Sequence, residues 1–346
     1  MLYCLCGKEL LKYPVELLGR VGVVRIVVVV SPANHHAVKE LLGDSVEYAI
    51  QPTKNGTAGA VESAAAALRG QAQQVIVIGG DSPLVTDESV RSLVSGHLED
   101  SRQMSILTGI VPDSSGLGRI NRNLGSQQNV LGIIEASDDM DRLGQPVEVN
   151  SGVYCFQADW LWENLGQVDA DNGPERYLPN LAAIAANQGA NVAASLAKDA
   201  AEVLGINNRV ELANLEDIQR RRIREHWMLE GVTIMDPSSV MIDSLVKIGQ
   251  DTVVLPNTMI LGNTSIGSDC EIGPGSVVKD SNVGNDCRVT SSVLEGAVME
   301  AGVDIGPYSH LRAGAYLESG VHIGNYVEIK ESRFSSGAVM GHFGYI

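Results

Sequence analysis

The sequence predicts an α/β chain in two parts: a three-layer α/β domain with a mostly parallel sheet, then a parallel β-helix built from hexapeptide repeats. Three observations predict it. Apolar strand-like runs alternate with helical segments from Val21 to about Ala201. The period then changes to six, with Ile260, Ile266, Ile272 and Val278 followed by Ile305, Leu311, Leu317, Ile323 and Ile329. Finally, 346 residues exceed what one compact core accommodates.

In order along the chain, "VGVVRIVVVV" (21–30), "QQVIVIGGDSPLV" (73–85), "MSILTGIV" (104–111) and "VNSGVYCF" (149–156) read as strands buried on both faces. "TAGAVESAAAAL" (57–68) and "ERYLPNLAAIAANQG" (175–189) read as helices between them. Asn208 to Gly231 is apolar at helical spacing and densely charged elsewhere, as expected of a connecting helix. These readings divide the chain into an α/β domain at 1–207, a connecting helix at 208–232 and a repeat domain at 233–346. In the last of these each hexapeptide forms one flat face of a prism, with its apolar residue pointing inward. Met340 and Ile346 resume the series after a slip at Phe334, and no terminal helix or polar cap follows, so the expectation is a solenoid cut short.

Composition narrows the function. Acidic residues outnumber basic ones 42 to 25, a formal charge of −17, which repels phosphate backbones and anionic lipid. Neither nucleic acid nor membrane is an expected partner, and any Arg or Lys serving an anionic ligand must be individually placed. The longest apolar run, Val21 to Val30, is interrupted by Arg25 and is too short to span a bilayer. A cytosolic protein is expected. Five scattered cysteines argue against a disulfide framework. Cys4 and Cys6 are expected to be packing thiols, because only His35-His36 offers further zinc ligands and its spacing is wrong.

Among candidate chemical groups, Asp81 ends an otherwise apolar strand, the edge at which open α/β sheets collect ligands. It suits a Mg²⁺ ion on nucleotide phosphates, and a helix N-cap is the competing reading. Gly56 and Thr57 precede a helix and suit either a base or phosphate, or ordinary capping. "GLGRI", "GIIEA", "VNSGVY" and "GINNR" suit sugar hydroxyls without a spacing that proves it.

Taken together, Q-x4-G-T, G-D-x-P-L, G-x-G-R-I, I-x-E, V-N-S-G and G-x-N-N-R, followed by "GPYSHLRAGAYL", "HIGNYVEIKES" and "GHFGYI", stand in a familiar order. Over essentially its whole length the chain resembles the bifunctional N-acetylglucosamine-1-phosphate uridyltransferase / glucosamine-1-phosphate N-acetyltransferase family. The resemblance implies a Rossmann-like nucleotidyltransferase domain and a left-handed β-helix. It also implies synthesis of UDP-N-acetylglucosamine from UTP and acetyl-CoA for peptidoglycan and lipopolysaccharide, in a cytoplasmic homotrimer. By the match, Asp81 and Asn207 hold Mg²⁺, Gln51, Gly56 and Thr57 hold the nucleotide, and Gly118, Glu135 and Asn150 bind N-acetylglucosamine 1-phosphate. His342 matches the base that deprotonates the attacking amine, and Arg312, Lys330 and Tyr345 match the grip on glucosamine 1-phosphate. Without the resemblance, the last four read as ordinary surface and turn residues.

Four departures qualify this picture. The family's glycine-rich L-A-A-G-x-G-T-R-M turn and Pro-Lys pair do not precede Leu2, so the first strand is missing and little uridyltransferase activity is expected of the sequence as written. The later coils that serve acetyl-CoA lie beyond Ile346, and the same expectation applies to acetyl transfer. Gly79 and Gly80 replace a bulkier residue, and Pro179 stands where a hydroxyl residue is usual. A catalytically silent subunit and a nucleotidyltransferase for another sugar are the alternatives.

Overall fold

The computed structural model describes residues 3–112, 116–122, 130–134, 146–168 and 175–346. The chain divides into two compact units, one of Glu9–Leu212 and one of Cys4–Lys8 with Ala213–Ile346.

A short hairpin comes first, β1 (Cys4–Leu5) and β2 (Lys8–Glu9), followed by α1 (Lys12–Arg20). Pro14 is tolerated in α1 because a first-turn residue has no intrahelical N–H bond to lose. The series continues with β3 (Val27–Val30), α2 (His35–Leu42), β4 (Glu47–Ile50), α3 (Gly56–Ser63), α4 (Ala65–Leu68), β5 (Gln74–Val77) and α5 (Asp87–Glu99). It then runs through β6 (Met104–Val111), β7 (Arg119–Arg122), β8 (Val130–Ile134), β9 (Val147–Gln157), α6 (Ala158–Asn164), α7 (Leu181–Asn187) and β10 (Val192–Leu196). The 21-residue α8 (Arg209–Leu229) closes the series.

The sheet is mixed, which corrects the expectation of mostly parallel pairing. In the six-stranded sheet β10 pairs with β6 in parallel, and β3 and β4 pair in parallel as a separate two-stranded sheet. The long β9 runs antiparallel to β5, β6 and β7, and β7 runs antiparallel to β8. An apolar run buried on both faces marks a central strand but carries no information about its direction. Alternation along β9 builds two cores. Tyr154 and Phe156 join one apolar cluster with Leu161 and Leu181, while Val153 and Cys155 join the opposite one with Leu17, Val90 and Leu93. Helices therefore cover both faces. Only the second half of the 21–30 run is strand, and Val24 lies fully exposed in the loop before it.

The second unit is a left-handed parallel β-helix whose strands stack into three parallel sheets of seven, seven and six. The predicted inward residues are sealed: Ile260, Ile272, Val278, Leu311, Leu317, Ile323 and Ile329 are 0 % exposed. Between the two readable runs the coil changes length. Val254 pairs with Ile272, Ile272 with Val289, Val289 with Ile305 and Ile305 with Ile323, so successive coils hold eighteen, seventeen, sixteen and eighteen residues. These shortened coils break the six-residue count and bring in Val283, Val289, Leu294 and Met299 as core residues. Ile346, the last of the predicted series, is 48 % exposed. Buried hydroxyls satisfy corner amides. Ser276 Oγ accepts from Ser292 N, Ser292 Oγ from Ser309 N, and Ser309 Oγ from Val327 N, at 3.0–3.2 Å.

Cys6 packs in this unit, at the turn of the hairpin, with its thiol toward Glu216 O. Burial pushes the thiols of Cys6 and of Cys155 up to about 12. Cys4 is exposed, contrary to the expectation that both thiols pack. Among the described residues no helix is long and apolar enough to cross a membrane.

Candidate functional site

The α/β unit contains a cleft of about 1040 Å³ lined by Thr57, Asp81, Gly118, Asn150, Tyr177 and Asn207, among others. Five residues singled out from the sequence thus come together from segments as much as 150 positions apart. Glu135 lies outside the described residues.

Asp81 follows β5 on a turn in which Ser82 N donates to Gly79 O. Helix α5 is capped by Thr86, whose hydroxyl accepts from Ser89 N, so the capping reading of Asp81 does not hold for that helix. The glycine at 79 has a purpose here. A Cβ at that position would lie 2.5 Å from Asp81 Oδ1, so the carboxylate folds back over it. Asp81 also borders Gly205, where a Cβ would sit 3.8 Å from Oδ2. Asn207 is held at the entry to α8, its N–H donating to Glu211 at 2.6 Å. One carboxylate and one amide oxygen are hard donors of the type Mg²⁺ accepts, with room for phosphate oxygens and water to complete the shell.

Thr57 stands in the first turn of α3, and its hydroxyl accepts from Leu178 N at 2.8 Å. Beside it, Gly56 has φ +90°, and a Cβ there would meet the backbone of Arg176 at 2.3 Å, so only glycine fits. Gln51 donates through Nε2 to Asn55 Oδ1 and Gly56 O. Gln51 and Gly56 brace Thr57, and Thr57 is the member of this group that lines the cleft.

On the sugar side, Asn150 N donates to Gly118 O at 2.8 Å, which ties these two residues together. The Asn150 side chain is also fixed. Nδ2 donates to Tyr154 Oη at 2.6 Å and Oδ1 accepts from Gly152 N at 3.0 Å, leaving one N–H and one lone pair for a ligand. Near this strand, Arg122 and Thr108 bond Glu148. Burial alone would raise that carboxyl, but the two hydrogen bonds and the arginine charge hold it below the usual range.

In the β-helix, Leu311 pairs with Ile329, Arg312 N donates to Ile329 O, and Lys330 N donates to Ile346 O. Arg312 and Lys330 therefore stack one coil apart, each just past an inward residue. Tyr345 pairs with Glu328, which pairs with His310, on the same sheet. Arg312 is bridged to Glu328 at 2.9 Å, and Lys330 lies 3.7 Å from Glu331. His342 is exposed and meets Phe343 edge-on at 5.4 Å between ring centroids. Phe343 continues a stacked ladder with Tyr326 and Tyr308.

Sequence reasoning missed Tyr154, Arg176 and Glu202. The only available signal was for Glu202, an acid inside the otherwise apolar "AAEVLG". It is 1 % exposed.

Two family models match the chain. Residues 1–228 match the nucleotidyl transferase family, and residues 245–280 match the bacterial transferase hexapeptide (six repeats). The chain is 40 % identical to the bifunctional protein GlmU of Exiguobacterium sibiricum, over 100 % of this chain and 77 % of that protein. It is 38 % identical to that of Halalkalibacterium halodurans, over 100 % and 76 %. Identity to that of Caldanaerobacter subterraneus subsp. tengcongensis is 38 %, over 99 % and 74 %. The chain thus spans about three quarters of the length of these relatives.

Proposed function

The chain belongs to the GlmU family, and from that premise we propose how its two units divide the synthesis of UDP-N-acetylglucosamine, the precursor used for peptidoglycan and lipopolysaccharide. Residues 1–207 serve uridylyl transfer from UTP to N-acetylglucosamine 1-phosphate. Residues 233–346 serve acetyl transfer from acetyl-CoA to glucosamine 1-phosphate, and 208–232 connect the two. The proposed setting is the cytoplasm and the proposed assembly is a trimer of β-helices. The observation that carries the reading is the gathering of Asp81 and Asn207 with Gly118 and Asn150 around one cleft.

Asp81 and Asn207 would hold Mg²⁺, which when bound neutralises charge on the nucleotide phosphates. Thr57 keeps its hydroxyl hydrogen to donate to the nucleotide while its oxygen is held by Leu178 N. Asn150, fixed by Tyr154 and Gly152, presents its remaining N–H and lone pair to the sugar, and Gly118 keeps the adjoining backbone open to it. In the β-helix, Arg312 and Lys330 offer two stacked cations to the sugar phosphate, with Glu328 holding Arg312 extended until the anion arrives. Tyr345 adds a hydroxyl. His342, solvent-exposed in the turn before it, takes the proton of the attacking amine.

Calorimetric titration tests this reading without requiring turnover. Asn150→Ala is expected to weaken UDP-N-acetylglucosamine binding about tenfold, the effect of losing a well-placed polar contact. Arg312→Ala is expected to leave that binding unchanged and to weaken glucosamine 1-phosphate binding instead. Equal affinities in Asn150→Ala and the unaltered chain would overturn the assignment of the cleft.

A further inference from the structure

Glu202 is a carboxylate inside the protein with no cation among the described residues to pair with it. It is 1 % exposed, and its Oε2 accepts from Thr86 N at 2.9 Å and Thr86 Oγ1 at 3.0 Å, while Oε1 accepts from Ser89 Oγ at 3.0 Å. Burying such a charge costs several kcal/mol unless its lone pairs are met. Capping α5 does not by itself explain it. Thr86 already caps that helix through Ser89 N, and Asp87 and Glu88 already complement its first turn.

What Glu202 adds is a bond between two distant segments. Asp81 lies five residues before Thr86, and Asn207 lies five residues after Glu202. The two segments meet again at the site, where Gly205 borders the Asp81 carboxylate. The clasp is also anchored to the sheet. Val203, next to Glu202, is 2 % exposed and packs so closely on β6 that a Cβ on Gly109 would come within 2.6 Å of it.

We infer that Glu202 is a positioning residue for the Asp81–Asn207 pair, fixing the separation at which the two can share one divalent cation on a nucleotide sugar. The inference rests on the reading of that pair given above. Substitution should therefore act on cation-dependent binding and spare the cation-independent part.

The test titrates the chain with UDP-N-acetylglucosamine with and without Mn²⁺. For Glu202→Gln, the amide oxygen can still accept from Thr86, but an NH2 replaces the oxygen that accepted from Ser89 Oγ and the charge that strengthened all three bonds is lost, so the clasp loosens. Affinity with Mn²⁺ is expected to fall about tenfold, and affinity without it to stay within twofold. Ser89→Ala, which removes only the bond to Oε1, is expected to show a smaller loss in the same direction, and it keeps the test decisive should Glu202→Gln not fold. Equal losses with and without Mn²⁺ in either variant would show a merely structural role and overturn the inference, as would no loss in Ser89→Ala and Glu202→Gln alike. Asp81→Asn separates the two levels. If it abolishes the Mn²⁺ dependence and the Glu202 and Ser89 variants do not alter it, the site reading stands and the positioning role falls. If Asp81→Asn leaves that dependence intact, or the unaltered chain shows none, both fall.

Discussion

The two units assemble their candidate sites by opposite means. In the α/β unit, Thr57, Asp81, Gly118, Asn150 and Asn207 come from separate segments and are held by bonds between distant positions, such as Leu178 N to Thr57 and Thr86 N to Glu202. In the β-helix, Arg312 and Lys330 stand together because they occupy equivalent places in adjacent coils, and among the described residues no remote segment holds them. One site therefore depends on the whole unit, and the other on its immediate neighbours.

A cavity in each core separates the two behaviours most strongly. Phe156→Ala in β9 empties a fully buried position in the middle of the sheet and is expected to cost about 3–5 kcal/mol. Denaturant unfolding followed by Trp160 and Trp162 fluorescence should show it as one cooperative loss, and hydrogen exchange should accelerate throughout 9–212. Acceleration confined to β9 and its neighbours would remove the contrast.

A pH scan sharpens it next. His97 is 1 % exposed, with Nδ1 2.9 Å from Ser105 Oγ and Nε2 2.9 Å from Gln74 Oε1. Burial, helped by the Arg102 charge, pushes it down to about 4. Between about 6.5 and 4 the unfolded chain therefore binds a proton that the folded chain does not. Stability is fully present above that window and falls as the pH drops through it, by up to about 3 kcal/mol. Urea midpoints at pH 7 and pH 4.5 measure the effect, and His97→Gln should flatten His97's share of the pH dependence. The smallest expected effect is that of Ile272→Val in the β-helix, about 1 kcal/mol. Here faster exchange should reach only the coils on either side, and spread to the whole prism would contradict nearest-neighbour stability.

The same contrast explains what could be read from the sequence. Inward Ile260 through Val278 and Ile305 through Ile329 were legible because a local period carries all the information needed to place them. The stretch between them was not, because coils of seventeen and sixteen residues shift the count. In the α/β unit β3, β5, β6 and β9 were legible from apolar runs, but the shorter strands β4, β7, β8 and β10 and the reversed direction of β9 were not, since direction is set by connections that leave no pattern in the strand. Motif order singled out Asp81, Gly118, Asn150 and Asn207. Glu202 and Tyr154 escaped because their partners are defined only once distant segments meet. The hairpin carrying Cys4 and Cys6 escaped for a related reason, since Asp243, far along the chain, is what leaves room only for glycine at position 7.

The cysteines offer a practical return. Cys155 in one unit, and Cys6, Cys270 and Cys287 in the other, are each 2 % exposed or less, while Cys4 faces solvent. A thiol-reactive label added to the native chain would tag Cys4 at once and the others only as their surroundings open. Mass mapping of the tagged peptides over time would then date the opening of each unit separately within a single sample.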